Sequence, residues 1–414
     1  MIVSLKILLL FAVLLLNTGL AISQTETNVS PSEHQLLWQI SGNGLKKPSY
    51  LFGSYHTNDA RVFKLSDSTY SALMNVDAIV LEADIYELFT EYDMRLKHSD
   101  LKFDSNGKAY TSSKGASKTK YGNEDGRPQF LDLYFQQLAY NMEKDFFVLE
   151  TIQEQMEAFE SLYERSAAQK NLQQLKVIQD NLLQVYLRGD INRLLVIIRK
   201  EMRQTKSAYE RIIVKRNYNM ADGIDTLCRQ KSLFIAIGAG HLAGNEGVIQ
   251  LLRQKGYHVR QVIASFAEKR TPAELALRKY NKCLYRDTNY NFSAVLGGKP
   301  IQDTVVSYYR LVYQEMGQGN TYVIEIESEY EFDVDLATYI GEIMDSPEEA
   351  KFEEVKHQDA IKAFKGIGYE YGAGLSWKKV FVYKNKLIRL ICYGGNKFMN
   401  SNRPQSFFDQ VKFD

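Results

Sequence analysis

Two histidines in this sequence each follow an apolar run and a glycine. His56 ends the sequence Gly-Ser-Tyr-His at 53–56, and His241 ends Gly-Ala-Gly-His at 238–241. Both apolar runs have the β-branched or aromatic bias of buried strands, and a glycine after a strand permits a sharp turn close to a ligand. Because ligands of open α/β sheets bind at the carboxyl ends of strands, we expect the two imidazoles to meet in one site.

Two carboxylates follow apolar strands in the same way. Glu82 comes directly after the run 78–81, and Glu150 follows the run 146–149. Imidazole and carboxylate are ligands that a borderline divalent metal such as zinc, manganese or cobalt accepts. Such an ion lowers the pKa of its bound water and polarises a carbonyl, while a spare carboxylate takes the proton. The spacing alone also fits an alternative in which the histidines are satisfied by backbone groups.

The elements that must position these residues alternate between strand and helix, which predicts an α/β domain over residues 35–264. The predicted strands are 35–40, 49–52, 78–81, 146–149, 233–237 and 259–263. The predicted helices are 66–75, with Ser66 or Asp67 as N-cap, several blocks within 151–230, and 244–255, and we expect them to cover the sheet.

Three further segments complete the expected organisation. Residues 98–128 are polar and predict a surface insertion or mobile loop. Residues 265–289 are predicted to be a connector. The pattern of residues 290–414 predicts a smaller α+β domain, in which strands 380–383 and 387–392 form a hairpin.

The first residues have the pattern of a secretory signal peptide. Residues 1–23 contain an early lysine, Lys6, then the apolar run 7–16 and the small-residue pattern Ala21-Ile22-Ser23. No second apolar run is long enough to cross a bilayer. We therefore expect an exported protein, periplasmic or secreted, without an integral membrane segment after signal cleavage.

Charge and cysteine content exclude some classes of function. The 51 basic and 50 acidic side chains give a net charge of +1, so no electrostatic footprint for nucleic acid is visible. The three cysteines, Cys228, Cys283 and Cys392, form no C-x-x-C pair. They predict neither a disulfide framework nor a thiolate zinc site, although one disulfide stays open.

The wider sequence resembles the TraB/GumN family, which includes the TIKI metalloproteases. The resembling blocks occur in family order at 37–44, 48–56, 80–82, 148–151 with 154–155, 216–217, 237–244 and 256–257. The resemblance implies a mixed central sheet with several covering helices and the activity of a metal-dependent hydrolase.

The resemblance also implies an active centre made of both G-x-x-H histidines and the strand-end glutamate. Carried over to this sequence, His56, His241 and Glu82 hold a divalent metal ion, and Glu82 also acts in catalysis. Glu150 and Arg216 match further family positions. We assign them the roles of second catalytic carboxylate and of anion or oxyanion stabiliser.

The sequence also gives expectations for other polar residues near these motifs. Asn217 either orients a neighbour by hydrogen bonds or packs as a polar helix residue. Tyr55 stands where many relatives have a small or β-branched residue, which affects the expected substrate shape, and Asp84 is expected to be a cap or solvated. The histidines not expected to be ligands are His34, His98, His258 and His357.

Residues 290–414 resemble, more weakly, small α/β sandwich domains of the PsbP/Mog1 type. The resembling segments are 292–300, 379–393 and 407–413. No set of acid, base and nucleophile is visible there, so a binding or scaffolding role is expected.

These features together predict an exported metal-dependent hydrolase, specifically a peptidase acting on a peptide or protein substrate. Two alternatives stay open. One is a non-catalytic protein that binds a peptide, signal or metal complex in the same cleft. The other is a metal-dependent esterase, because metal-activated water attacks esters as well as amides.

Overall fold

A computed structural model describes residues 34–87, 102–103, 109–110, 118–119, 122–123, 127–155, 157, 172–202, 206–266, 270–303, 308–328, 352–358, 360–370 and 374–414. The chain divides into two compact units. The first is Met1–Tyr92 with Phe130–Tyr280, and the second is Asp93–Gln129 with Asn281–Asp414. The boundary after Tyr280 falls within the predicted connector 265–289.

Two predicted segments lie wholly or mostly outside the described residues. The signal peptide 1–23 is one, and it stays a prediction. Within the predicted insertion 98–128 the structure describes residues 127–128 and four two-residue strands, which are Lys102–Phe103, Ala109–Tyr110, Lys118–Thr119 and Gly122–Asn123. In the described part of the chain, no helix combines the length and apolar character needed to cross a membrane.

The first unit is built on a six-stranded sheet. Its strands are β1 Leu37–Ser41, β2 Ser49–Ser54, β3 Ala78–Leu81, β4 Asp145–Val148, β5 Leu233–Gly238 and β6 His258–Gln261. The order across the sheet is β6-β1-β2-β5-β3-β4. The neighbours β2, β5, β3 and β4 run parallel, while β1 and β6 join antiparallel. The predicted α/β class with a mixed sheet is confirmed.

Helices cover this sheet and bury most of its central strands. They are α1 Asp67–Asn75, α2 Leu131–Asn141, α3 Leu172–Leu187, α4 Ile191–Glu201, α5 Arg216–Cys228, α6 Val248–Gln254 and α7 Pro272–Arg278. Shorter helical turns are Ala60–Phe63, Lys206–Tyr209, Glu210–Lys215 and Ala239–His241. All four side chains of β3 are buried, as parallel strands covered on both faces require.

The predicted boundaries of two helices can be compared with the structure. Of the two predicted N-cap residues, Ser66 and Asp67, the structure has Ser66, whose Oγ accepts a hydrogen bond from the backbone N–H of Thr69 at 3.2 Å. The predicted helix 244–255 was wrong at its start, since Gly244 has φ +92° and the helix begins only at Val248. Its end is as predicted, with Gly256 at φ +93°.

The second unit is mainly antiparallel β structure. Its strands are β7 Cys283–Asp287, β8 Phe292–Leu296, β9 Ile301–Asp303, β10 Tyr309–Glu315, β11 Asn320–Glu327, β12 Glu353–His357, β13 Ile361–Glu370, β14 Gly374–Tyr383, β15 Lys386–Tyr393 and β16 Lys412–Phe413, with helices Asn396–Met399 and Arg403–Gln410. Seven strands form one sheet in the order β9-β10-β11-β15-β14-β13-β12, and β7-β8-β16 form another. This confirms the predicted α+β character.

The predicted hairpin in this unit is confirmed and is longer than expected. β14 and β15 pair antiparallel from Trp377 opposite Cys392 to Tyr383 opposite Lys386. The two residues of the turn, Lys384 and Asn385, have φ of 48° and 60°. Two consecutive positive φ angles match the right-handed twist of the flanking strands, which explains the tight turn.

The three cysteines are all buried and free of disulfide bonds. Cys228 lies in the first unit, whereas Cys283 and Cys392 lie in the second. They therefore behave as small apolar side chains in the two cores.

Candidate active site

Four parallel strands each lead to one of the predicted site residues. His56 follows β2, Glu82 follows β3, Glu150 follows β4 and His241 follows β5. Because these strands are neighbours and parallel, their carboxyl ends share one edge of the sheet. The pairing continues past the strand ends, where the backbone N–H of Glu150 donates to the carbonyl of Glu82 at 2.8 Å.

Three of these side chains converge on Gly238. A methyl group placed on Gly238 would lie 3.3 Å from Glu82 Oε1, 3.6 Å from His56 Nε2 and 3.5 Å from His241 Cδ2. The backbone of Gly238, at φ −52° and ψ 130°, is accessible to any residue. Glycine therefore provides space at this position, and that space lies between the two imidazoles and the carboxylate.

His56 is held by a buried carboxylate. Its Nδ1–H donates to Asp132 Oδ2 at 2.8 Å, and Ser54 Oγ donates to Asp132 Oδ1 at 2.6 Å. The imidazole is 40% exposed, whereas the Asp132 side chain is 7% exposed. Burial lowers the pKa of His56, but the charge and hydrogen bond of Asp132 outweigh it and raise the pKa to about 9.

His241 is held by a neutral amide instead. Its Nδ1–H donates to Asn217 Oδ1 at 2.6 Å, and Asn217 Nδ2 donates to the carbonyl of Glu246 at 2.6 Å, which fixes the amide orientation. Burial, helped by the cation of Arg216, lowers the pKa of His241 to about 4. At neutral pH this ring is uncharged and its Nε2 carries a lone pair.

Arg216, on the first turn of α5, binds both predicted carboxylates. Its Nη2 donates to Glu82 Oε2 at 2.8 Å and to Glu150 Oε2 at 2.7 Å, and its Nε donates to Glu150 at 2.9 Å. All three side chains are almost completely buried. The predicted oxyanion role of Arg216 stays a prediction, because the guanidinium contacts described here hold carboxylates.

The two carboxylates differ in their electrostatics. Burial raises the pKa of Glu82, but Arg216 and the two histidines outweigh it and lower the pKa to about 2. Glu82 Oε1 also accepts the backbone N–H of Gly238 at 2.6 Å. For Glu150, burial prevails over Arg216 and keeps the pKa above its usual value. Glu82 is thus the firmly ionised carboxylate beside the histidines.

The donor set at Gly238 suits a divalent metal only in part. Both imidazoles use Nδ1 to donate to an oxygen, which is the usual arrangement of metal-binding histidines and leaves Nε2 as the donor atom. Glu82 Oε1 lies 4.0 Å from His241 Nε2. Within the described ranges, no group of three or more His, Cys, Asp or Glu side chains has the geometry to hold a metal ion. The two imidazoles therefore fit as ligands. Among the described residues, no third side chain is placed to complete a metal site with them.

The sequence does not reveal two residues that hydrogen-bond to side chains of the site. Asp132 lies in the first turn of α2, and nothing in its local pattern separates it from an ordinary helix-start acid. Gln155 donates from Nε2 to Glu82 Oε2 at 3.2 Å, and the family block 154–155 in which it lies does not indicate this contact.

The remaining expectations have clear positions. Asp84 caps its own turn, accepting from the backbone N–H of Tyr86 at 2.8 Å. Tyr55, the residue before His56, packs against Tyr186 with ring centroids 5.0 Å apart. His258 is exposed on β6, His357 is buried in the second unit, and His98 lies outside the described residues.

The fold and the paired histidine motifs define a mixed α/β protein with a polar site at the carboxyl edge of its sheet. The model of the TraB/PrgY/gumN family matches residues 36–117 and 110–261. The chain therefore belongs to the TraB/PrgY/gumN family.

Curated relatives are similar over shorter stretches. The Metalloprotease TIKI1 of Danio rerio is 27% identical over 167 residues, covering 32% of this chain and 34% of the relative. The Metalloprotease TIKI2 of Danio rerio is 38% identical over 69 residues, covering 14% and 13%. That of Xenopus tropicalis is 45% identical over 58 residues, covering 13% and 11%. The chain thus spans about a third or less of the length of these relatives.

A solved structure is similar to part of the chain. The solution structure of cyanobacterial PsbP from Synechocystis sp. PCC 6803 is 12% identical, with a TM-score of 0.26, and covers 32% of this chain and 93% of that chain. At this TM-score the likeness carries no further argument.

Proposed function

We propose that this protein is a metal-dependent hydrolase and that its substrate is a peptide or protein. The observation that carries the proposal is the pair of imidazoles around Gly238. In each ring Nδ1 is hydrogen-bonded to an oxygen, so that Nε2 is the atom available to bind a metal ion. The choice of peptide substrates follows relatives that are named metalloproteases.

In this proposal the chain's own residues divide the work. His56 and His241 hold a divalent ion such as zinc, manganese or cobalt through Nε2. When bound, the ion lowers the pKa of water and polarises the scissile carbonyl. Glu82 Oε1 is the carboxylate atom beside Gly238, and we assign Glu82 to this centre. This oxygen would serve either as third ligand or, without a bond to the ion, as acceptor of the proton from the bound water, because one oxygen cannot do both.

We assign Arg216 and Glu150 to positioning. Arg216 fixes Glu82 Oε2 while leaving Oε1 towards Gly238, and the bidentate contact with Glu150 fixes the guanidinium itself. Glu150 contacts Arg216 and acts on the histidines only through it. The catalytic role that the sequence predicts for Glu150 stays a prediction.

The test is hydrolysis of a peptide library by the purified protein, before and after chelation. We expect turnover that the chelator abolishes and that added zinc, manganese or cobalt restores. The His56→Ala variant should show no turnover, while the matched variant His258→Ala, which removes an exposed histidine on β6, should retain it.

Two results would contradict a peptidase. Cleavage of esters but not of peptides would assign the same centre to an esterase. Peptide binding that survives in the wild type without turnover on either substrate class would assign the cleft to a binding protein.

We also propose that the protein is exported. The support is the pattern of residues 1–23, with an apolar run ending in small residues. A mature chain that begins at Gln24 outside the cytoplasm is the expected result of N-terminal sequencing, and an uncleaved cytoplasmic chain would refute export.

A further inference from the structure

The two histidines have chemically unequal supports, although their sequence motifs are the same. His56 donates Nδ1–H to the carboxylate of Asp132, and His241 donates Nδ1–H to the amide oxygen of Asn217. Each support is itself fixed by a second hydrogen bond, from Ser54 Oγ to Asp132 and from Asn217 to the carbonyl of Glu246.

Asp132 is placed by elements that also place His56. It lies in the first turn of α2, and the first backbone N–H of that helix, from Leu131, donates to the carbonyl of Thr57 at 3.3 Å. Ser54, its other partner, ends β2 and is buried. The helix and the strand thus fix the carboxylate and the histidine relative to each other.

The carboxylate of Asp132 is committed to these two partners. The N-cap residue of α2 is Phe130, which makes no side-chain cap hydrogen bond, and Asp132 lies within the first turn. Burying a carboxylate is costly unless hydrogen bonds compensate for it, and here the two bonds go to Ser54 and His56. The carboxylate of Asp132 thus holds the imidazole of His56.

We propose that Asp132 is a positioning residue that holds the His56 ring with Nδ1–H towards itself and Nε2 towards Gly238. This deepens and rests on the proposed function, since it concerns the same centre. A hydrogen-bonded oxygen behind a ligating histidine fixes the tautomer and the ring orientation and makes Nε2 a better donor. The anionic partner makes His56 the stronger donor of the two histidines.

The first readout is binding of Co²⁺ alone to the metal-free protein, followed by its visible absorption. Loss of an outer-shell partner typically costs about 10- to 100-fold in metal affinity, and we expect a loss of that order for Asp132→Ala. Asp132→Asn should bind more tightly than Asp132→Ala, because an amide oxygen already serves His241 in this role. Asp67→Ala removes a first-turn acid of α1 and should leave the affinity unchanged.

The second readout needs no metal. Histidine ring ¹⁵N spectra of the metal-free protein, recorded at a pH high enough to leave the ring uncharged, should show His56 as the Nδ1–H tautomer. In Asp132→Ala, the Nε2–H tautomer that free imidazole side chains prefer should replace it. A purely structural role for Asp132 would leave the tautomer of a folded variant unchanged.

The two readouts separate the two proposals. If the wild type binds no Co²⁺ but the tautomer depends on Asp132, the positioning role stands and the metal centre is refuted. If Asp132→Ala folds and keeps both the wild-type affinity and the wild-type tautomer, the positioning role is refuted, whatever the wild type binds.

Discussion

A single buried cation between two buried carboxylates organises the site at the residue level. Arg216 contacts Glu82 and Glu150, and all three side chains are at most 7% exposed. Such a cluster stabilises the fold little compared with an apolar one, but it is intolerant of losing one member. The cluster holds Glu82 so that its Oε1 faces Gly238.

Replacing Arg216 by methionine should therefore be strongly destabilising. Arg216→Met leaves two carboxylates buried together without a cation, and we expect the free energy of unfolding to fall by about 3–5 kcal/mol. Urea unfolding measures this. The control Arg229→Met breaks an exposed ion pair with Asp225, and it should cost less than about 1 kcal/mol. Equal losses in the two variants would contradict the buried cluster.

Filling the space at Gly238 should separate binding from folding. The added methyl group of Gly238→Ala would lie 3.3–3.6 Å from Glu82, His241 and His56, which the neighbours can accommodate with small shifts. We expect at least a tenfold loss of metal affinity, about 1.4 kcal/mol, with a nearly unchanged unfolding midpoint. Metal affinity equal to that of the wild type would show that the ligands do not meet there.

At the level of elements, the second histidine depends on the packing of a turn against a strand. The turn Ala239–His241 follows β5 and packs on Gly53 of β2. A methyl group on Gly53 would lie 2.8 Å from Leu242 Cδ1 and 3.0 Å from Ala239 Cβ. The packing of the turn therefore requires glycine at position 53, whereas glycine at position 238 keeps the space between the two imidazoles and Glu82 open.

Gly53→Ala should accordingly act differently from Gly238→Ala. The overpacked methyl group must push the turn away, and we expect a loss of about 1–3 kcal/mol in unfolding free energy. Thermal unfolding followed by circular dichroism measures it. An unchanged melting temperature would mean that the turn adjusts freely and does not hold His241 in place.

Local signals were sufficient for most elements of the first unit. Apolar runs located all six strands to within two residues at either end, and the sequence limited the N-cap of α1 to Ser66 or Asp67, of which Ser66 is the cap. The start of α6 was misplaced because Gly244 adopts a positive φ that a sequence pattern does not reveal. Asp132 could not be found because its role arises from the crossing of α2 over the end of β2, which is a tertiary relation.

Across the whole molecule, the two units offer separate reporters. The chain has two tryptophans, with Trp38 on β1 of the first unit and Trp377 on β14 of the second. A Trp38→Phe background therefore makes fluorescence report the second unit within the full chain. Since the chain has two units, a single unfolding transition should not be assumed.

The second unit should lose stability in acid through His357. This ring is 1% exposed and stacks on Phe381 at 4.3 Å, and among the described residues neither ring nitrogen has a hydrogen-bond partner. Burial, with Lys379 and Lys412 nearby, lowers its pKa from 6.5 to about 4. Below pH 6.5, His357 binds a proton in the unfolded chain but not in the folded unit. The free energy of unfolding therefore falls as the pH drops towards 4.

The expected loss over that range is about 3 kcal/mol, fully developed near pH 4. Urea unfolding of the second unit, followed through Trp377 at pH 7.5 and 4.5, measures most of it. In His357→Leu, the free energy of unfolding should decrease less between the two pH values than in the protein that keeps His357. An identical decrease would assign the acid sensitivity to carboxylates instead.

The central claim is that His56 and His241 together hold a metal ion, and metal content tests it most directly. Plasma mass spectrometry of residues 24–414 should find near-stoichiometric zinc, manganese or cobalt in the wild type and in His258→Ala. The folded double variant His56→Ala/His241→Ala should contain none. Metal retained by the double variant, or a wild type that stays empty after reloading, would contradict the account.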